Sequence, residues 1–138
     1  MIRLGMPREP RWIDLPMGVR LKVRPLVTAL MQAAKFRAER EYRAAADAWK
    51  AAAEAGLADG MAPLDTDDRK AALLFSFTVN EIARECVLDW EGVGNLEGEP
   101  IAFTADGLPE LMSHNGVAEA FWSAITSAAA AVTAEGNG

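Results

Sequence analysis

Cysteine, histidine and tyrosine each occur once in the 138 residues, and the first two scarcities close off classes of chemistry. The lone thiol, Cys86, has no internal partner for a disulfide, which points to a reducing compartment and a cytoplasmic protein. His114 has no second histidine and no cysteine set to complete a zinc site, and no Glu-x-x-His pair offers the helical di-metal pattern. Long apolar runs are missing too. No window approaches the roughly 18 uninterrupted apolar residues of a membrane span, and Met1–Gly5 leads into a Pro- and Arg-containing segment without the apolar core of a signal peptide. Positive charge is scarce after residue 54: residues 55–138 hold 3 Lys and Arg against 14 Asp and Glu, whereas residues 1–54 hold 11 against 6. The net charge of −6 argues against general nucleic-acid binding, and the opposed halves can orient assembly with a partner or a second copy.

What is present reads as one mainly α-helical domain with an N-terminal β-hairpin, spanning 11–134 between an arm at 1–10 and a tail at 135–138. Val19, Leu21 and Val23 alternate with Arg20, Lys22 and Arg24, so residues 11–24 predict a hairpin turning at Pro16-Met17-Gly18. Such a ribbon needs something to lean on. Pro25 suits a first helical turn, and the helix predicted over 25–55 stops at Gly56. Its seam is Val27, Met31, Ala34, Ala38, Tyr42, Ala45, Trp49 and Ala52. After a Gly- and Pro-containing linker, Asp65 or Thr66 caps a helix over 66–90, with Asp67 and Asp68 favoured by its dipole. Phe75, Val79, Ile82, Cys86 and Trp90 form its apolar line. A corner at 91–103 follows, then helices over 105–112, capped by Thr104, and 116–133, capped by Asn115. The last stripe is Val117, Phe121, Ile125, Ala128 and Val132.

Candidate sites fall away one by one. Asp65, Asp67 and Asp68 begin like a calcium loop, but Lys70 stands where glycine is required and Ser76 where the bidentate glutamate belongs. Gly92, Gly94 and Gly98 have the wrong spacing for a dinucleotide loop, and Glu91, Glu97 and Glu99 would repel phosphate. Glu81, Glu85 and Asp89, four apart, read as a solvated helix face. Cys86 sits among apolar neighbours with carboxylates nearby, a setting that raises a thiol pKa and disarms it as a nucleophile. No catalytic residue, metal ligand or cofactor is expected, and the protein reads as no enzyme. The partner-binding residues proposed instead are the aromatics Tyr42, Trp49 and Trp122 together with the basic strand Arg20, Lys22 and Arg24. Phe121 and Trp122 diverge by about 100° on a helix, which leaves Trp122 partly exposed.

The stretch Val87-Leu88-Asp89-Trp90-Glu91-Gly92-Val93, then Gly98-Glu99-Pro100-Ile101-Ala102-Phe103-Thr104, Leu108-Pro109-Glu110-Leu111 and Val117-Ala118-Glu119-Ala120-Phe121, resembles a known family. It is similar to the tail assembly chaperones of long-tailed bacteriophages, prophages and gene transfer particles. The entry Gly18-Val19-Arg20-Leu21-Lys22-Val23-Arg24-Pro25-Leu26 is also similar. Pro109 inside the short helix and the length of the Ala-rich helix depart from the pattern. Physically the motif is a structural corner, in which Trp90 can pack on Phe103 while glycines permit the turn. The resemblance implies a non-enzymatic cytoplasmic protein that binds the tape measure protein, helps recruit tail tube subunits, and is absent from the finished particle. Two other classes stand beside it: a structural tail or connector component of the virion, and a small regulatory DNA-binding protein using Arg20, Lys22 and Arg24.

Overall fold

The alternation that predicts the hairpin is the seed of a three-stranded antiparallel sheet. In the computed structural model, which describes residues 1, 4, 5 and 9–135 and side chains as far as residue 127, β1 (Arg11–Asp14) pairs with β2 (Arg20–Val23) through a 3-10 turn at Pro16–Gly18. The other edge of β2 is taken by β3 (Val87–Glu91), giving the order β1-β2-β3. Among the described residues four helices complete the chain: α1 (Thr28–Glu54), α2 (Asp67–Cys86), α3 (Leu108–Ser113) and α4 (Val117–Glu135).

The third strand corrects the expected helix over 66–90. α2 ends at Cys86, and Trp90, Glu91 and Asp89 belong to the sheet. Trp90 continues the helical spacing of Phe75, Val79, Ile82 and Cys86 in the sequence. What overrides that pattern is pairing with β2, where Leu21 faces Trp90 and Arg20 faces Glu91. Lys22 faces Asp89 and Val23 faces Val87, so Leu88 is the extra residue of a β-bulge, which lets both Val87 and Trp90 point inward. The hairpin thus leans first on another strand and only then on helices.

The start of α1 is the second correction. Pro25 lies outside the helix, which begins at Thr28 after an extended Val27. The Arg24 amide donates to the Cys86 carbonyl at 2.8 Å, holding the chain to the sheet, and a residue before proline is itself biased to extended backbone. At the other end the expected stop is built as a Schellman cap. Gly56 has φ +72°, its amide donates to the Ala53 carbonyl at 3.1 Å, and that of Leu57 to the Ala52 carbonyl at 2.8 Å. Thr66 holds the N-cap position of α2, with Asp67 and Asp68 in the first turn.

The short helix is divided, a 3-10 turn over Ala105–Gly107 running into α3, and Pro109 sits in the first turn of α3, where it costs no hydrogen bond. The residue before α4 is Gly116, φ +83°, whose carbonyl accepts from the Ala120 amide at 3.1 Å; Asn115 lies one position too early to cap. The core gathers the inner sheet face (Ile13, Leu21, Val23, Val87), α2 (Val79, Ile82, Cys86) and Leu108, Val117, Phe121 and Ile125. Half of the arm expected at 1–10, the tail beyond Glu135, and the side chains of Ala128 and Val132 lie outside the described residues.

Candidate functional site

The corner is assembled from the strand outward. β3 delivers Trp90 to the core, where its ring meets Phe103 edge-on, centroids 5.1 Å apart at 86°. Its indole N–H donates to the Ile101 carbonyl at 2.9 Å, so both the apolar body and the polar tip of the ring are satisfied. Between Trp90 and Phe103 the chain folds back on itself. The Ile101 amide donates to Val93 O at 3.0 Å and that of Asn95 to Glu99 O at 2.9 Å, while Asn95 Oδ1 accepts from the amides of Glu97 and Glu99 at 3.1 and 2.9 Å. Gly92 is required twice over: its φ is +79°, and a Cβ there would collide with the Gly18 carbonyl, since the hairpin turn lies directly against the corner. Gly107 is needed for space alone, because a Cβ there would stand 2.7 Å from Trp90 Cη2. The sequence gives no signal for that contact.

The corner leaves an open recess of about 380 Å³ lined by Gly92, Val93, Gly94, Asn95, Gly98 and Pro100. Leu96 at its tip is fully exposed, and Glu97 and Glu99 beside it form no ion pair among the described residues.

The residues proposed for partner binding are not brought together. Tyr42 is buried, its hydroxyl donating to Leu64 O at 2.8 Å and its ring covered by the Lys70 ammonium 5.7 Å away. That is a correction: Tyr42 ties α1 to the linker and presents little face to a partner. A small cleft of about 130 Å³ opens beside it, lined by Glu39, Arg43, Lys70 and Leu74. Trp49 is half-buried, with its indole N–H lacking a partner among the described residues. Trp122 is half-buried as expected, packed edge-on against Phe75 at 6.0 Å.

Arg20 is already engaged, with Asp14 at 2.9 Å and Glu91 at 3.3 Å, and it stacks over Trp12 at 5.3 Å. Lys22 faces Asp89 across the sheet, and Arg24 is exposed at the strand end. The basic strand therefore lies between acidic neighbours, a poor surface for a phosphate backbone.

The outward face of α1 holds what the helical seam hid. Phe36 points directly away from Ala34 and Ala38 and is 76% exposed. Arg40 and Arg43 follow it one and two turns on, and Lys35 stands beside it. A check for large apolar residues off the seam is the signal that finds Phe36.

The supposed solvated face is likewise revised. Asp89 belongs to the sheet, and Glu81 is buried to 3% exposure between α1 and α2. Arg37 reaches Glu81 at 3.8 Å and Glu85 at 2.9 Å, and Arg84 reaches Glu81 at 3.7 Å. Glu41, on α1, is exposed as a residue, but partial desolvation of its carboxyl pushes it up to about 7; hydrogen bonding with Glu81 and its charge add to this, and Arg84 opposes it. Burial, with Glu85 adding and Arg24 opposing, pushes the Cys86 thiol up to about 11. Among the described residues no group of His, Cys, Asp and Glu is placed to hold a metal ion, and no helix is long and apolar enough to cross a membrane.

Fold and corner together define a small, mainly helical protein whose best-built surface feature is a rigid acidic corner. A family model described as YdaY prophage protein matches residues 28–138, and the chain belongs to that family. No curated protein and no solved structure matches the chain.

Proposed function

We propose that this prophage protein is a non-enzymatic tail assembly chaperone. In this reading it binds the tape measure protein in the host cytoplasm before assembly, helps bring tail tube subunits to it, and leaves before the particle is complete. The observation that carries the reading is the stretch Val87–Phe121. The residues that resemble the chaperone family form one interlocked unit around the Trp90–Phe103 pair, and this unit falls inside the region matched to a prophage family. A helix of 27 residues beside a shorter core offers an elongated surface, the geometry suited to an amphipathic partner helix. No cofactor enters the proposal. Nucleic acid stays outside it because Asp14 and Glu91 already neutralise Arg20.

The test is to tag the chain, express it with its own tail gene cluster, and identify what co-purifies before and after particles form. The chaperone reading expects the tape measure protein early and no copies in finished particles. Stable incorporation into particles would instead make the protein a structural tail or connector component. On the partner surface, Trp122→Ala is expected to weaken capture while the circular dichroism spectrum is retained; full capture by that variant removes Trp122 from the interface.

A further inference from the structure

Two exposed features of the molecule are complementary, one on α1 and the other at the corner. On α1, Phe36 projects into solvent with Lys35 beside it and Arg40 one turn on, neither cation in an ion pair among the described residues. At the corner an open recess of about 380 Å³ is lined by Gly92, Val93, Gly94, Asn95, Gly98 and Pro100. The exposed Glu97 and Glu99 flank Gly98 in the chain and form no ion pair among the described residues. An aromatic knob with cations beside it thus matches a glycine-lined hollow with carboxylates beside it. The recess is preformed, because Asn95 and the Ile101–Val93 hydrogen bond hold its walls in place, so seating a ring there requires little ordering of the corner. Neither feature is used within the monomer: Phe36 remains 76% exposed and Leu96 beside the recess is fully exposed.

We propose that the chain self-associates head to tail, the Phe36 side chain of one copy seating in the Gly92–Pro100 recess of the next, with Lys35 and Arg40 against Glu97 and Glu99. The contact joins two different patches, so every open assembly keeps one free end of each kind and growth proceeds to a ring or an open chain. It is small, hence weak and reversible, and its charges make it sensitive to salt. This inference goes beyond the tail assembly reading and does not depend on it, since it concerns the purified chain alone.

Sedimentation velocity on the full chain, from about 10 μM to about 1 mM at low and high salt, tests it. The expected result is association beyond a dimer that recedes in high salt. Phe36→Asp and the double change Glu97→Lys with Glu99→Lys should each lower the association constant at least about tenfold. All three positions are exposed, and circular dichroism checks that both variants fold. The decisive arm mixes the two variants. Each retains the end the other has lost, so the mixture should form a heterodimer and stop there. A wild-type chain that is monomeric at all concentrations would overturn the proposal. So would association unchanged by Phe36→Asp, or a corner variant that associates normally while Phe36→Asp does not, since that pattern belongs to a symmetric Phe36 contact.

Discussion

At the corner, Trp90 Nε1 reaches the Ile101 carbonyl and the single side chain of Asn95 accepts from two backbone amides. On α1 and α2, three buried atoms, Trp49 Nε1, Asn80 Oδ1 and Glu81 Oε2, have no hydrogen-bond partner among the described residues. A buried polar group left unpaired costs about 1–3 kcal/mol, so the helical pair carries a burden the corner does not. The corner is over-determined by contacts that are mostly local, whereas the helices are joined by small residues and a charged cluster. Proteins commonly break local rules where another requirement acts. The contrast assigns shape-holding to the corner and leaves the helical pair as the place where a partner or a proton could change the balance.

The largest expected effect compares two tryptophans, the buried Trp90 and the half-buried Trp49. Trp90→Ala removes a buried ring, the edge-on pair with Phe103 and a satisfied N–H, and should cost about 3–5 kcal/mol in denaturant unfolding. That is a large share of the roughly 5–15 kcal/mol of an ordinary domain. Trp49→Ala also deletes an N–H that was buried without a partner, which offsets part of the lost packing, so a cost below about 2 kcal/mol is expected. Equal losses would break the contrast. Cys86 supplies a second readout: buried, with its thiol pushed up to about 11, it should react with a thiol reagent only as fast as the fold opens, faster in Trp90→Ala than in Trp49→Ala.

Next come the corner glycines. Gly92→Ala combines a left-handed φ of +79° with a collision against the Gly18 carbonyl, and backbone cannot step aside as a side-chain end can. A loss of about 2–4 kcal/mol is expected. Gly107→Ala meets the far edge of the Trp90 ring and, at 3.3 Å, the Thr104 hydroxyl, side-chain atoms rather than backbone, so a smaller loss of about 1–3 kcal/mol should appear. Thermal melts of the two variants rank them, and the reverse order would show that the hairpin turn yields more easily than the ring.

How far the fold was legible follows from the range of the forces involved. The hairpin, the Gly56 stop, the Thr66 cap position and the seam of Ala34, Ala38 and Tyr42 rest on local pattern, and these features are present in the structure. β3 was hidden because Trp90 sits four residues after Cys86, a helical step, and only pairing with a strand some 70 residues away turns that segment extended. Glu81 was misplaced for a similar reason. Its spacing from Glu85 describes a helix face, while the guanidinium of Arg37 that draws that face inward comes from another helix. Phe36 escaped because a seam records what is buried and is silent about a large residue opposite it.

The smallest effect is a pH dependence rooted in the helical pair. Glu81 Oε2 has no hydrogen-bond partner among the described residues, and a proton held by Glu41 is shared in a hydrogen bond with the Glu81 carboxylate. The folded chain keeps that proton up to about pH 7, against an ordinary carboxyl value of 4.5 in the unfolded chain. Between those values the folded state binds more protons than the unfolded one, so rising pH favours unfolding. The stabilisation is full below pH 4.5 and is lost as pH passes through about 7. Glu41 lies at the surface, where solvent screens the interaction, so the span should stay below about 1 kcal/mol. Glu41→Gln, which donates a hydrogen bond at every pH, should flatten this part of the stability curve while the tryptophan fluorescence of the folded state stays constant. A slope that persists in Glu41→Gln would place the proton elsewhere and leave the buried Glu81 held by Arg37 and Arg84 alone.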